Sequence, residues 1–229
     1  MARRRNPKKD DTLVDIVEAR DNAQDFFEAN QNTILMALVG AVLLIGGYLA
    51  YTYLYQAPQE QEAIEAMEQA QRQFERDSFA LALQNANGDQ GFLDIIDNYG
   101  GTKAGNLAQY YAGICYLHLG QTDAAIEYLE DFSPAGEVLP ISRYGAMADA
   151  YGEKGDFDQA LQYYDRAVQA GSNEFLTAYY LKKMGMLQEK QGDLAGSKKS
   201  YQTIKDKYPF SPDARDIDKF LARVGGDTN

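Results

Sequence analysis

The sequence predicts an all-α protein: one transmembrane helix near the N-terminus, then an array of repeated helix pairs closed by a C-terminal capping helix. Two observations predict this fold. An uncharged and mostly apolar segment covers residues 29–59. After it, one spacing of small residues, tyrosine or glutamine, and glycine occurs three times, with periods of 35 and 37 residues. The chain has 229 residues, enough for a membrane anchor together with an array of small repeats.

Residues 1–32 are predicted to be a cytoplasmic tail that contains an acidic amphipathic helix over residues 10–31. Apolar residues near helical spacing give this helix one stripe: Leu13, Ile16, Val17, Ala23 and Phe27. Its other sides carry seven acidic residues, whereas a helix lying on an anionic lipid surface needs Lys and Arg on its polar face. We therefore expect it to contact a protein rather than lipid, with a solvated linker as the alternative.

Residues 33–55 are predicted to form a single transmembrane helix. Twenty-three helical residues rise about 34 Å, enough to cross a hydrocarbon core of about 30 Å. A cleaved signal peptide fits poorly, because the apolar run is long, the segment before it is acidic and no small-residue cleavage site follows. Small residues four positions apart would let a second helix approach closely, unless they merely face lipid: Ala37, Ala41, Gly46 and Ala50.

The distribution of Lys and Arg predicts the orientation of this helix. Six basic residues precede it, whereas residues 56–76 contain only Arg72 and Arg76. Positively charged flanks stay in the cytoplasm. We therefore expect a single-pass protein of the inner membrane, with its N-terminus in the cytoplasm and residues 56–229 in the periplasm. This exported region is acidic, which makes nucleic acid an improbable partner.

Three segments after the apolar region share one internal spacing. In each, a small residue is followed after three positions by Tyr or Gln, after four more by glycine, and after five more by a second small residue. The sets are Gly113, Tyr116, Gly120 and Ala125; Ala148, Tyr151, Gly155 and Ala160; and Gly185, Gln188, Gly192 and Ser197.

This pattern resembles the tetratricopeptide repeat, a unit of about 34 residues in two antiparallel helices. The small residues let the two helices approach, and the glycine ends the first helix in a conformation that a β-carbon would oppose. Asp156 and Asp193, directly after their glycines, are predicted N-caps of the second helices. The resemblance implies three repeats over residues 104–210, and residues 211–229 are predicted to be a capping helix and tail, with Ile217, Phe220, Leu221 and Val224 on its apolar face.

A fourth, degenerate unit is predicted over residues 56–103. Its second helix contains Phe92, Ile95 and Tyr99, at the offsets of Tyr201, Ile204 and Tyr208 in the third repeat. Its first helix is predicted over about residues 60–83, and Asn85–Gln90 is the turn between them. Four apolar residues are expected to point inward from the first helix: Ile64, Met67, Phe74 and Leu81.

Cys115 and His118, the single cysteine and histidine, lie three positions apart on one predicted helix. Cys115 occupies a position that the repeat fills with a small apolar residue, and His118 lies near the helix end, where the chain is usually solvated. A catalytic set or metal site needs more partners than this sequence supplies. We therefore predict packing, no enzyme activity, no metal, no cofactor and no small-molecule substrate.

The predicted function is protein binding in the concave groove of the array, which the first helix of each repeat lines. By analogy with the repeat family, eight residues line this groove, unless they merely pack against the next helix: Tyr110, Ile114, Leu117, Asp149, Glu153, Tyr179, Lys182 and Met186. Repeats that clamp the carboxylate of chaperone tails use Lys, Arg and Asn here. Tyr110 and Ile114 stand instead, which argues against an acidic C-terminus as ligand.

A narrower resemblance covers nearly the whole chain from the span onward. The segment YGGTKAGNLAQYYAG (99–113), after a basic tail and one span, is similar to the YfgM family of ancillary SecYEG translocon subunits. The resemblance implies a non-enzymatic protein that associates with SecYEG and a PpiD-like periplasmic chaperone, near newly exported chains. An adaptor for cell-wall or outer-membrane assembly is the alternative, because repeat arrays serve many partners.

Overall fold

A computed structural model describes residues 11–84 and 89–225, although not the side chains of residues 11–19 and 21. Within this part every element is helical and no strand occurs. The chain divides into two compact units, residues 1–58 and 59–229. The basic tail, the apolar stripe at Leu13, Ile16 and Val17, most of the predicted 85–90 turn and the last four residues lie outside the described residues and side chains.

The first unit contains the apolar segment. Helix α1 covers Asp11–Ala50, so the predicted acidic helix and the start of the predicted span form one uninterrupted helix. A π-helical stretch, Tyr51–Gln56, follows it. In this stretch the Thr52 hydroxyl donates a hydrogen bond of 2.9 Å to the Tyr48 carbonyl. The helical segment is long and apolar enough to cross a membrane, with a mean hydropathy of 2.2 over its most apolar window.

The second unit contains the remaining helices, apart from the first two residues of α2. They are α2 (Ala57–Phe74), α3 (Phe79–Leu83), α4 (Phe92–Tyr99), α5 (Lys103–His118), α6 (Thr122–Asp131), α7 (Val138–Lys154), α8 (Phe157–Gln169), α9 (Leu176–Lys190), α10 (Leu194–Lys207) and α11 (Ile217–Gly225). A 3-10 turn, Pro212–Asp216, precedes α11. Consecutive helices pack as the pairs α5–α6, α7–α8 and α9–α10, and α11 covers α10.

The glycines that the repeat pattern places after the first helices have the predicted left-handed backbone. Gly120, Gly155 and Gly192 have φ angles of 72°, 84° and 83°. The Asp156 and Asp193 side chains then accept hydrogen bonds from backbone N–H groups three residues on, at 3.2 and 2.9 Å. Both the helix ends and the N-caps are therefore confirmed.

The small residues of the pattern lie where the two helices of a repeat touch. A β-carbon at Gly113 would lie 2.7 Å from Cγ of Leu129. One at Gly185 would lie 2.5 Å from the ring of Tyr201. Ala148 is fully buried. The predicted close approach of the helices is confirmed at these positions.

In each of the first two repeats, a stacked pair of tyrosines joins the two helices. Tyr116 stacks on Tyr128 and Tyr151 on Tyr163, both with ring centroids 5.2 Å apart. In the third repeat the equivalent residues form a hydrogen bond instead, which the Ser200 hydroxyl donates to the Gln188 side chain at 2.8 Å. Gln188 thus replaces the tyrosine of the first helix, and Ser200 replaces the tyrosine of the second helix that would stack on it.

The predicted single helix over residues 60–83 is wrong. Helix α2 ends at Phe74, Asp77 adopts a positive φ of 55°, and α3 is a separate short helix. This break rotates the following residues, so Leu81 is exposed while Ala82 and Leu83 are buried. On α2, Met67 and the partly buried Phe74 face inward as predicted, but Ile64 is exposed, because the inner face is formed largely by alanines: Ala63, Ala66 and Ala70.

Candidate protein-binding groove

Helices α5, α7 and α9 line a groove of about 660 Å³ on one face of the array. Five of the residues that the sequence predicts for the groove line it together: Ile114, Leu117, Asp149, Glu153 and Tyr179. The aliphatic side chains come from α5, the two carboxylates from α7 and the phenol from α9. The surface therefore combines apolar contact area with charged groups one helical turn apart.

Asp149 is the polar centre of the groove. Its Oδ1 atom accepts a short hydrogen bond from the Tyr164 hydroxyl and lies 2.6 Å from Nζ of Lys183. Burial raises the pKa of Tyr164, and the negative charge of Asp149 raises it further. Tyr164 therefore keeps its proton at neutral pH, and one donor from α8 and one cation from α9 hold the carboxylate in place.

Tyr180 on α9 packs against α7 beside this centre, and it is 7% exposed. A β-carbon at Gly145 would lie only 1.9 Å from Cζ of the Tyr180 ring, so the ring rests on the α7 backbone. The ring also lies 6.2 Å from the Tyr164 ring, and burial raises the pKa of Tyr180. Gly145 thus lets a tyrosine pack where any other residue would hold α9 further from α7.

Three predicted groove residues lie elsewhere. Tyr110 packs between repeats, with its ring 5.4 Å from that of Phe132, and burial raises its pKa. Met186 is half exposed on α9 outside the groove lining.

Lys182 binds the C-terminal cap instead of lining the groove. Its Nζ lies 3.2 Å from Asp213 and 3.1 Å from Asp216, and it stands over the Phe220 ring at 4.8 Å. Burial lowers the pKa of Lys182, but the two carboxylates outweigh this effect and raise it above the ordinary value.

Sequence reasoning missed seven groove residues, of which three are small (Gly120, Ala146 and Gly152) and four have large polar side chains: Tyr164, Tyr180, Lys183 and His118. Tyr164 lies on α8, four residues after Ala160, and its side chain is buried while its hydroxyl donates a hydrogen bond to Asp149. Lys183 follows Lys182 directly, and one residue turns a helix by about 100°, so the two lysines point to different neighbours. The sequence feature that could have indicated Lys183 is the carboxylate of Asp149 on α7, which lies opposite the two adjacent lysines on α9.

The two residues at the end of α5 have different environments. Cys115 is fully buried, as predicted, and burial raises the pKa of its thiol to about 12. His118 is exposed at the groove margin and stacks on Phe79, with ring centroids 4.2 Å apart and planes within 4°. Across the described residues, no three metal-ligating side chains are grouped. The buried thiol is a poor nucleophile or ligand.

The small residues of the apolar helix lie on its exposed surface: Ala37, Ala41, Gly46 and Ala50. A β-carbon at Gly46 would have no atom within 4 Å. The helix surface is therefore open at this position, and whether another helix packs there remains a prediction.

Family comparison gives the array its class. A tetratricopeptide-repeat model matches residues 146–212, which include the second half of α7 and all of α8–α10. A second tetratricopeptide-repeat model matches residues 107–133, in α5 and α6. These segments are tetratricopeptide repeats. Such repeats are protein-interaction modules, so the array is a scaffold for protein partners. No curated protein matches the chain significantly.

Proposed function

We propose that this protein is a membrane-anchored scaffold whose groove binds a segment of a partner protein. The observation that carries the proposal is the groove between α5, α7 and α9, built on tetratricopeptide repeats. Ile114, Leu117 and Tyr179 offer apolar contact area, while Asp149 and Glu153 offer acceptors to polar or basic groups on the partner. The pre-formed Asp149–Tyr164–Lys183 cluster lowers the entropic cost of binding.

The proposed setting is the periplasmic face of the inner membrane, beside the Sec translocon. The Lys and Arg asymmetry around the apolar helix supports an exported array. The resemblance of residues 99–113 to the YfgM family supports SecYEG and a PpiD-like chaperone as partners, acting on newly exported chains. A C-terminal alkaline phosphatase fusion should be active, and a C-terminal fluorescent protein exported by the Sec route should be dark. The reverse pair of results contradicts the orientation.

Photo-crosslinking from the groove tests the binding site directly. We would replace Tyr179, which is 43% exposed in the groove, by a photoreactive phenylalanine analogue in cells. Gln202, exposed on α10 outside the groove lining, gives the matched control. We expect a discrete crosslinked protein from position 179 and none of that mass from position 202. Equal crosslinking from both positions would contradict a binding role for the groove.

The identity of the crosslinked protein separates the two proposed settings. Translocon subunits or a periplasmic chaperone support the Sec assignment, and co-purification in mild detergent should recover the same proteins. Components of cell-wall or outer-membrane assembly support the adaptor alternative, which uses the same groove for another partner.

A further inference from the structure

The charges that line the groove differ in whether the protein already pairs them. Oδ1 of Asp149 on α7 lies 2.6 Å from Nζ of Lys183, so these two charges compensate one another. Glu153 is exposed one helical turn later on α7, and it forms no hydrogen bond or ion pair with any residue that the structure describes. The negative charge of Glu153 therefore remains open to a ligand.

The lysine that lines the groove is already engaged by the protein. Besides its contact with Asp149, the Nζ atom of Lys183 stands 5.2 Å from the centre of the Tyr179 ring. Arginine is absent from the groove lining within the described part of the chain. A carboxylate on a partner would thus have to displace Asp149 from Lys183, and it would also meet the like charge of Glu153.

The lysines that are adjacent to groove residues in sequence are also paired elsewhere. Lys154 directly follows Glu153, but its Nζ lies 2.5 Å from Oδ1 of Asp123 on α6. Lys182 directly precedes Lys183, but it binds two carboxylates of the C-terminal cap. Neither lysine lines the groove. The basic residues nearest in sequence therefore do not neutralise Glu153.

The position of Glu153 in its helix indicates a role outside folding. Glu153 is the penultimate residue of α7, which ends at Lys154. The unpaired carbonyl groups at a helix C-terminus make this end negative, so an acidic residue there is unfavourable. The stability of α7 therefore does not account for Glu153, whereas a ligand cation would be attracted by both the carboxylate and the helix end.

Apolar side chains line the same groove from α5. Ile114 and Leu117 are partly buried and line the groove together with Glu153. Helices that pack together lie about 8–10 Å apart. Side chains two residues apart in an extended segment point the same way and lie about 7 Å apart, and the length of a Lys or Arg side chain adds reach. One segment can therefore contact α5 with an apolar side chain and Glu153 with a basic one.

We propose that the groove selects extended segments with a basic side chain two residues from a large apolar one, and that it rejects acidic segments. In this arrangement Glu153 binds the cation, Ile114 and Leu117 contact the apolar side chain, and Asp149 keeps Lys183 from repelling the ligand. This specificity rests on the proposed function, because it requires that the groove binds a segment of a partner protein.

Selection from a library of random short peptides displayed on phage tests this specificity. We would immobilise the full chain in mild detergent and work at pH 8, where imidazole groups are neutral. Glu153→Lys reverses the charge at the proposed site. Glu127→Lys is the matched control, because Glu127 is exposed on α6 outside the groove lining.

We expect Lys and Arg to be about threefold more frequent in peptides bound by the unaltered chain than in the starting library, because a partly exposed ion pair discriminates by about this factor. Asp and Glu should be depleted from the bound peptides. Glu153→Lys should reverse this preference, and Glu127→Lys should retain it.

The contrary results are distinguishable from one another. Bound peptides without an excess of Lys and Arg, or with the same excess after Glu153→Lys, would overturn this specificity and leave the proposed function standing. Recovery of peptides from the unaltered chain no higher than from detergent micelles alone would overturn the proposed function and this inference together.

Discussion

At the residue scale, Asp149 joins three helices, because its carboxylate on α7 contacts Tyr164 on α8 and Lys183 on α9. The Asp149 and Lys183 side chains are 21% and 32% exposed, so water screens this ion pair only in part. The residue therefore serves both the packing of α7 against its neighbours and the polarity of the groove.

We predict that Asp149→Asn weakens partner binding more than it weakens folding. The amide still accepts a hydrogen bond from Tyr164 but loses the charge opposite Lys183, so stability should fall by about 1 kcal/mol. Partner capture from position 179 should fall about tenfold, because Asp149 would no longer offer a negative charge to basic groups of the partner. Asp158→Asn, on the exposed surface of α8, is the control. Equal capture by both variants would contradict a role for Asp149 in binding.

We predict that Cys115 resists alkylation and disulfide exchange in the folded protein. Its side chain is fully buried and burial raises its pKa to about 12, so almost no thiolate exists at pH 8. Titration with a chromogenic disulfide should give no reaction in mild detergent and one thiol per chain after unfolding in guanidinium. A reaction with the folded chain as fast as with a free thiol would contradict the packing role.

At the element scale, the spacing between helices depends on which glycines face a neighbouring helix. Gly113 faces Leu129, where a β-carbon would lie 2.7 Å from Cγ. Gly152, on α7, has only the Ala160 β-carbon near it, at 3.9 Å. Gly113 is thus required by the close approach of the next helix, whereas the space around Gly152 would accept a larger residue.

Gly113→Ala should lower the free energy of unfolding by about 1–3 kcal/mol, because the new methyl group collides with a fully buried leucine. Gly152→Ala should raise it by about 0.5–1 kcal/mol, because alanine favours a helix and finds ordinary contact distance. Gly113→Leu should be worse than Gly113→Ala. Urea unfolding followed by circular dichroism measures all three, and stabilisation by Gly113→Ala would refute the close-approach argument.

Glu60 acts on another element, since it caps α5 from 43 residues away in sequence. Glu60→Ala should destabilise the array by about 1–2 kcal/mol, through the loss of two backbone acceptor contacts and a charge at a helix N-terminus. Glu60→Gln should lose less, since it keeps an acceptor. Glu68→Ala, exposed on the same helix, should change the unfolding midpoint little, and an equal effect of the two alanine variants would argue against capping.

The repeats could be predicted from sequence because spacing fixes them. Gly120 and Gly155 end helices wherever the pattern places them, since a left-handed backbone needs glycine. The outward turn of Leu81 could not be predicted, because it depends on a break at Asp77 that no glycine or proline marks. The sequence predicted which helices line the groove. It could not predict that Lys183 rather than Lys182 faces the groove, because this depends on the rotation of α9, and helix boundaries predicted from sequence are uncertain by about one or two residues.

At the scale of the whole molecule, the apolar helix is the part with no packing of its own among the described residues, since its most apolar window is 0% buried. Its surface is free for lipid or for a partner helix. The small residues at Gly46 and Ala50 mark the side where a second helix could approach most closely.

If this side binds a partner, Gly46→Leu should reduce co-purification of that partner in mild detergent while membrane insertion is unchanged. The added side chain meets nothing within 4 Å of its β-carbon, so the helix itself tolerates it. Replacement of the whole span by an unrelated one should reduce recovery further. Full recovery with the unrelated span would assign recognition to the repeats alone.

The clamp between Lys182 and the cap has a consequence for how the array opens. Repeats contact only their neighbours, so an unsecured end frays first and exchanges its amide hydrogens fastest. Lys182 joins α9 to Asp213 and Asp216 at the start of the cap, and Tyr179 lies three residues before it on the same helix. We therefore expect opening of the cap to loosen the groove wall as well. A ligand that touches only Tyr179 would slow hydrogen exchange in α11, which it never contacts.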